Sequence, residues 1–249
     1  MDILKQITRE DSNAAAVVPA SVQVDIDCPY TCSFCGQKAV IMYRLEDRRM
    51  MCNNCYDHQV TDREQIKAMV QQTLRFMDRA YDICLRQDLL IRFKSVLELR
   101  HQTGTGDDQR LLGTYREGGN QLWLETAGPK VSMKGALIHE FTRCWQYDNL
   151  PLSALRQKLP TDKGDRRLHQ LLEGHAFFVE VQTLLLMQER YYATHLDRIL
   201  MQRTDAEAES YRRVKAYFCQ MQTAGHCVNA MTVIKYLAED LIAGRETIS

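Results

Sequence analysis

Four cysteines stand in two pairs of the same form, Cys32-Ser33-Phe34-Cys35 and Cys52-Asn53-Asn54-Cys55, with sixteen residues between the pairs. Two thiolates flanking a two-residue spacer can aim their sulfurs at one point, and two such knuckles supply the four soft ligands of a tetrahedral zinc site. Gly36 follows the first pair directly and suits the turn that points backbone amides at the sulfurs. Residues 38–51 are long enough for a hairpin that brings the pairs together. A site closed by four thiolates leaves no position for substrate, so its role is structural, and a module this small needs the metal in order to fold. Cys28 reads as a spare thiol and His58 as a solvated surface histidine.

A second chemical pattern is His139-Glu140-Phe141-Thr142-Arg143. In HExxH helices the two histidines share a face and hold zinc, while the glutamate beside the first acts as general base. Here Arg143 occupies the second histidine position, and a guanidinium has no lone pair to give a metal. Further along stands Leu172-Glu173-Gly174-His175-Ala176, a carboxylate followed by small residues. His169 lies one helical turn before Glu173 and shares its face, which makes it the candidate substitute ligand. His175 falls on another side of that helix, and Cys144, about 100° around from Arg143, reads as apolar filler. Tyr191, Tyr192, His226 and Tyr236 could stabilise an oxyanion, and Trp123 and Trp145 read as core anchors.

The elements that must position these residues follow from periodicity. Residues 1–24 read as a tail and 25–60 as the cysteine module. From Thr61, apolar positions Ile66, Met69, Val70, Leu74, Met77, Tyr81, Cys84 and Leu85 predict a helix continuing, with a break near Asp88, to about Leu99. His101–Asp108 reads as a polar loop. Leu111–Arg116 and Gln121–Thr126 flank Glu117-Gly118-Gly119-Asn120 as a hairpin. Ser132 is a candidate N-cap for a helix to about Tyr147, closed by Leu150-Pro151, with a loop after it. Asp165 opens a long helix that carries Glu173, and helical patterns near 206–222 and 229–243 finish the chain.

Lys+Arg and Asp+Glu both total 32, a balance that gives no support to nucleic acid or an anionic membrane as partner. Hydrophobic residues are 45% and charged residues 26%, ordinary for a soluble globular protein. Met1–Glu10 does not read as a secretory signal, and no apolar stretch is long enough to span a bilayer. Nine cysteines, four of them in paired spacing, suit metal binding in a reducing compartment, so a cytoplasmic location is expected.

Helix, hairpin, HE helix and Glu helix, in that order, resemble the gluzincin and minigluzincin metallopeptidases. More closely, the chain is similar to the LIM-domain-linked peptidases whose plant members restrain organ growth. The resemblance runs from about Cys28 to the C-terminus. It rests on Asp47-Arg48-Arg49-Met50-Met51-Cys52-Asn53-Asn54-Cys55, on Leu137-Ile138-His139-Glu140 with Trp145, and on Leu172-Glu173-Gly174. Ala224-Gly225-His226 and Val233-Ile234-Lys235-Tyr236-Leu237 complete it. It implies an α+β, mostly helical fold. A LIM-like four-cysteine zinc finger at 25–60 would precede a minigluzincin-like domain at 61–249 with one small β-sheet.

The resemblance also implies a zinc-dependent endopeptidase linked to ubiquitin signalling, although residues upstream of the finger carry no ubiquitin-interacting helix. By it, His139 is the first zinc ligand, Glu140 the general base and Glu173 the third ligand. Arg143 departs from the pattern. The favoured expectation is therefore a catalytically impaired pseudopeptidase, a module binding a protein or peptide, with Arg143 paired to Glu140 and Glu173. The alternatives are an active zinc endopeptidase using His139, Glu173 and a substitute such as His169, and a structural zinc-finger adaptor.

Overall fold

The computed structural model describes residues 30–45, 48–83, 85, 89–94, 98–99, 101, 113–116, 121–125, 128–158 and 164–245. The expected tail at 1–24, Cys28, Cys84, the break near Asp88, the loop over 102–108 and the turn at 117–120 lie outside them. The described residues are mostly helical with small sheets, an α+β arrangement. They form two compact units, one from the residues up to Arg75 with Arg86–Glu140, the other from Phe76–Leu85 with Phe141 onward. No helix among them is long and apolar enough to cross a membrane.

In the first unit, β1 (Met42–Arg44) and β2 (Met50–Cys52) pair antiparallel, with Met42 opposite Cys52. A short helix α1 (Asn53–Asp57) follows at once, then β3 (Gln59–Val60). Helix α2 (Arg63–Tyr81) buries Ile66, Met69, Val70, Met77 and Tyr81, the face its spacing predicts. It stops well short of Leu99. Asp82 adopts φ 52°, which breaks the helical path, and β4 (Leu90–Lys94) takes the residues expected to be helical. Leu90-Ile91-Arg92-Phe93-Lys94 alternates half-buried and buried side chains, so a period of two prevails there.

The hairpin forms as β5 (Gly113–Arg116) and β6 (Gln121–Glu125), antiparallel with Arg116 opposite Gln121. Strand β4 joins the other side of β6 in parallel, giving the order β4-β6-β5. The central strand is buried on both faces from Leu122 to Glu125. Gly128–Pro129 is a two-residue strand, β7, paired with β3. Helix α3 (Lys130–Asn149) begins there, two residues before Ser132, which is buried inside its first turn instead of capping it. Two of the three boundaries between the units fall within α2 and α3, so each of these helices contributes to both.

The second unit contains α4 (Leu152–Lys158), α5 (Gly164–Leu186), α6 (Arg190–Gln202), α7 (Ala206–Thr223) and α8 (Val233–Ile242). Helix α4 takes part of the expected loop after Pro151, and α6 fills a stretch the sequence reading leaves unassigned. Asp205 caps α7 by accepting the Ala208 N–H at 3.1 Å. Arg212 reaches from α7 to the Leu200 and Arg203 carbonyls and so satisfies the end of α6. Tyr81 donates to Thr183 Oγ1 at 2.9 Å, while that hydroxyl donates to the Val179 carbonyl at 2.6 Å.

Helices α5 and α7 approach closely at Gly174. A Cβ there would lie 2.5 Å from the Ser210 carbonyl carbon and 2.5 Å from the Tyr211 amide nitrogen. Backbone cannot swing aside as a flexible side chain can, so Gly174→Ala should destabilise the chain by about 3 kcal/mol. Urea unfolding measures it; a loss under about 0.5 kcal/mol would show that the helices are free to part.

Candidate metal centre

The loop from Cys32 to Lys38 is held by its own backbone. Gly36 N–H donates to the Cys32 carbonyl and Cys32 N–H to the Gln37 carbonyl, both at 2.9 Å. Thr31 and Lys38 close the loop as a bridge. Gly36 has φ 70°, the left-handed region where a side chain is disfavoured. Ser33 fastens this knuckle to β2, its N–H donating to the Met50 carbonyl at 2.7 Å and its hydroxyl accepting the Met50 N–H at 3.0 Å. The second knuckle is the junction of β2 with α1. Cys52 is the N-cap of that helix, and its sulfur accepts the Cys55 N–H at 3.4 Å. The Cys52 N–H in turn donates to Cys32 Sγ at 3.4 Å.

These elements bring the four sulfurs within 4.8 Å of one another, all buried. Cys35 Sγ and Cys52 Sγ are 3.6 Å apart. Sulfurs at the corners of a tetrahedral zinc–thiolate site stand about 3.8 Å apart for zinc–sulfur bonds of about 2.3 Å, so the geometry fits a metal ion of that kind. Among the described residues this is the group whose ligand atoms converge as a metal requires. Crowding also shapes the protonation of the thiols. Hydrogen bonds from Cys35, then Cys55, hold Cys32 far below the ordinary thiol range despite its burial. The same bond to Cys32 pushes Cys35 up to about 12, and Cys55, facing both, is pushed up as well. A divalent cation bound here would replace this sharing of protons with four thiolates.

Around the sulfurs lies a small apolar core of Phe34, Met42 and Met51, joined by Ala136 from α3. The Tyr43 and Tyr56 rings stack beside it at 4.1 Å. The His58 side chain is exposed, its Nδ1 2.8 Å from the Asn54 carbonyl, while its own carbonyl accepts the Lys130 N–H at 3.0 Å. The cysteine module thus shares a core with the start of α3.

His139, Glu140, Arg143 and Cys144 lie on helix α3, and His169, Glu173 and His175 on helix α5. Helix α3 is buried continuously from Gly135 to Gln146, yet it carries His139, Glu140, Thr142, Arg143 and Gln146. A core helix with that many polar groups must give each a partner or lose stability. His139 and Glu140 are buried in the first unit, where Gly113 of β5 lets the strand approach, its missing Cβ position 3.4 Å from Glu140 Cγ.

In the second unit, Arg143 Nη1 lies 2.8 Å from Glu173 Oε1, a charge contact rather than an aligned hydrogen bond. Its Nη2 donates to the Tyr147 hydroxyl at 3.0 Å, and its Cζ sits 5.3 Å from the Tyr147 ring centre. His169 Nε2 is 3.8 Å from the same Glu173 oxygen, on a side chain 55% exposed.

No family model matches the chain, and neither does any curated protein or solved structure.

His175 is a core residue. Gln146 Nε2 lies 2.7 Å from its Nδ1, and its Nε2 lies 3.0 Å from the Ala230 carbonyl oxygen. Gln146 also donates to the Leu172 carbonyl at 2.9 Å. Cys144, Trp123 and Trp145 are buried, and Lys235 lies over the Trp145 ring at 5.1 Å. Of the candidate oxyanion donors, Tyr191, His226 and Tyr236 are exposed and Tyr192 is buried. Tyr147 enters the sequence reading only as the approximate end of a helix, not as a partner of Arg143. Its signal is its position four residues after Arg143, the spacing at which helical side chains meet.

Proposed function

We propose that this protein is a zinc-finger protein whose peptidase-like helices serve as a binding or regulatory module instead of a catalyst. Zinc is the ion we assign to Cys32, Cys35, Cys52 and Cys55; four buried thiolates at this spacing suit it, and its contribution there is to hold the fold. The observation that carries the loss of catalysis is the Arg143–Glu173 contact at 2.8 Å. In the gluzincin pattern Glu173 would be a zinc ligand and position 143 a histidine. Here the carboxylate meets a fixed cation on the next turn after His139, and the guanidinium supplies the positive charge that a metal would bring. A permanently charged arginine also repels a divalent cation at this range. Glu140, the general base of the pattern, then has no metal-bound water to activate. The retained helices offer a surface to a protein or peptide partner, and the paired cysteine spacing suits a cytoplasmic setting.

The test is hydrolysis of an unstructured protein substrate by the wild type beside Glu140→Gln. Equal, background rates are expected. A wild-type rate that falls both on chelation and on Glu140→Gln would overturn the reading and return the chain to the active peptidases.

A further inference from the structure

Arg49 stands immediately before β2, three residues ahead of the ligand Cys52, and its side chain reaches from the cysteine module to the sheet. Its guanidinium forms a two-pronged ion pair with Glu125, the last residue of central strand β6, with Nη2–Oε1 at 2.6 Å and Nη1–Oε2 at 3.2 Å. Its Cζ lies 4.8 Å from the ring centre of Phe34, which sits between Cys32 and Cys35. One side chain therefore touches the first knuckle, adjoins the strand that leads into the second, and grips the sheet. Both partners are buried, with side-chain exposures of 7% and 8%. A buried ion pair that loses one partner is strongly destabilised, because the remaining charge has lost its compensation and not regained water. Loosening the module would withdraw Arg49 and take from Glu125 its two-pronged counter-charge.

We propose that the Arg49–Glu125 pair couples metal occupancy of the four cysteines to the order of strand β6 and the first half of α3, so that metal loading regulates the part of the fold that carries His139 and Glu140. The coupling rests on the cysteines holding a metal, and not on whether the helices have lost catalysis. Two further links follow the same route: Ala136 of α3 packs in the core around the sulfurs, and Lys130 N–H is bound to the His58 carbonyl. Metal binding therefore acts on the first unit as a whole.

The experiment is hydrogen–deuterium exchange on the full chain, zinc-loaded and after removal of zinc by a strong chelator, with zinc per chain measured in each sample. In the wild type, chelation should speed exchange at least about tenfold over residues 121–125 and 130–138 while leaving 190–202 in the second unit unchanged. The apolar replacement Arg49→Met with Glu125→Leu keeps the volume but removes the charges, and its 121–125 segment should respond to chelation less than about threefold. Arg49→Lys, which keeps the charge and loses the fork, should give an intermediate response and serves if the double variant does not fold. Loss of zinc from the wild type with no change over 121–125 would overturn the coupling alone. A variant responding as strongly as the wild type would show that the pair is not its route. Absence of zinc from the untreated protein would overturn the metal centre itself, and the coupling with it.

Discussion

Cys52→Ser should release the metal and unfold the first unit while the second remains folded. Cys52 is at once a candidate metal ligand, the end of β2 opposite Met42, and the N-cap of α1. Serine is among the best N-caps, so the substitution keeps the capping role and removes the ligand. Structural zinc contributes on the order of 10 kcal/mol to folding of finger peptides, comparable with the whole stability of an ordinary domain at about 5–15 kcal/mol. Because Arg49 ties the module to Glu125 of β6 and Ala136 of α3 packs in the core around the sulfurs, the damage should spread to β6 and α3. Scanning calorimetry with zinc analysis measures it: the variant should lose one transition together with its zinc. A variant that keeps a full equivalent of zinc would refute the ligand set.

Removing Glu173 should have the second largest effect. Arg143 is buried, and Glu173→Ala would leave its guanidinium with Tyr147 for a hydrogen bond and a ring face but without the counter-charge. Breaking a buried pair from one side typically costs about 3–5 kcal/mol. The Glu173 side chain is 17% exposed, which places the expected loss near the lower figure, about 3 kcal/mol. Replacing both partners, Arg143→Met with Glu173→Leu, should recover most of that loss, because apolar residues of similar volume bring no charge to compensate. Urea denaturation of the two variants separates the cases. If the double variant is no more stable than Glu173→Ala, the charge contact is not what the helices depend on.

Features encoded over short stretches were the legible ones. The doubled cysteine spacing led to a converging cluster because each knuckle is closed by bonds within a few residues of its sulfurs. The hairpin was readable from its strand residues and turn. Strand β4 was missed because apolar residues beyond Tyr81 continue to fit a helical face. What decides its state is the left-handed Asp82 and the parallel pairing to β6, a partner far along the chain. Helix α6 did carry its signal, in the buried face Tyr192, Ala193, Leu196 and Leu200. The union of cysteine module and sheet had none: Arg49 and Glu125 are 76 residues apart, and neither residue type at its position announces the other. Long-range charge pairing is set by tertiary geometry, which local pattern does not encode.

Zinc per chain, counted by elemental analysis in the wild type and in Arg143→His, bears most directly on the proposal that the cysteines carry a metal and that helices α3 and α5 do not. One zinc is expected in the wild type. Arg143→His restores the second histidine of the motif on α3 and should admit a second. Two zincs in the wild type, with one lost on His139→Ala, would contradict the account and show a living peptidase centre.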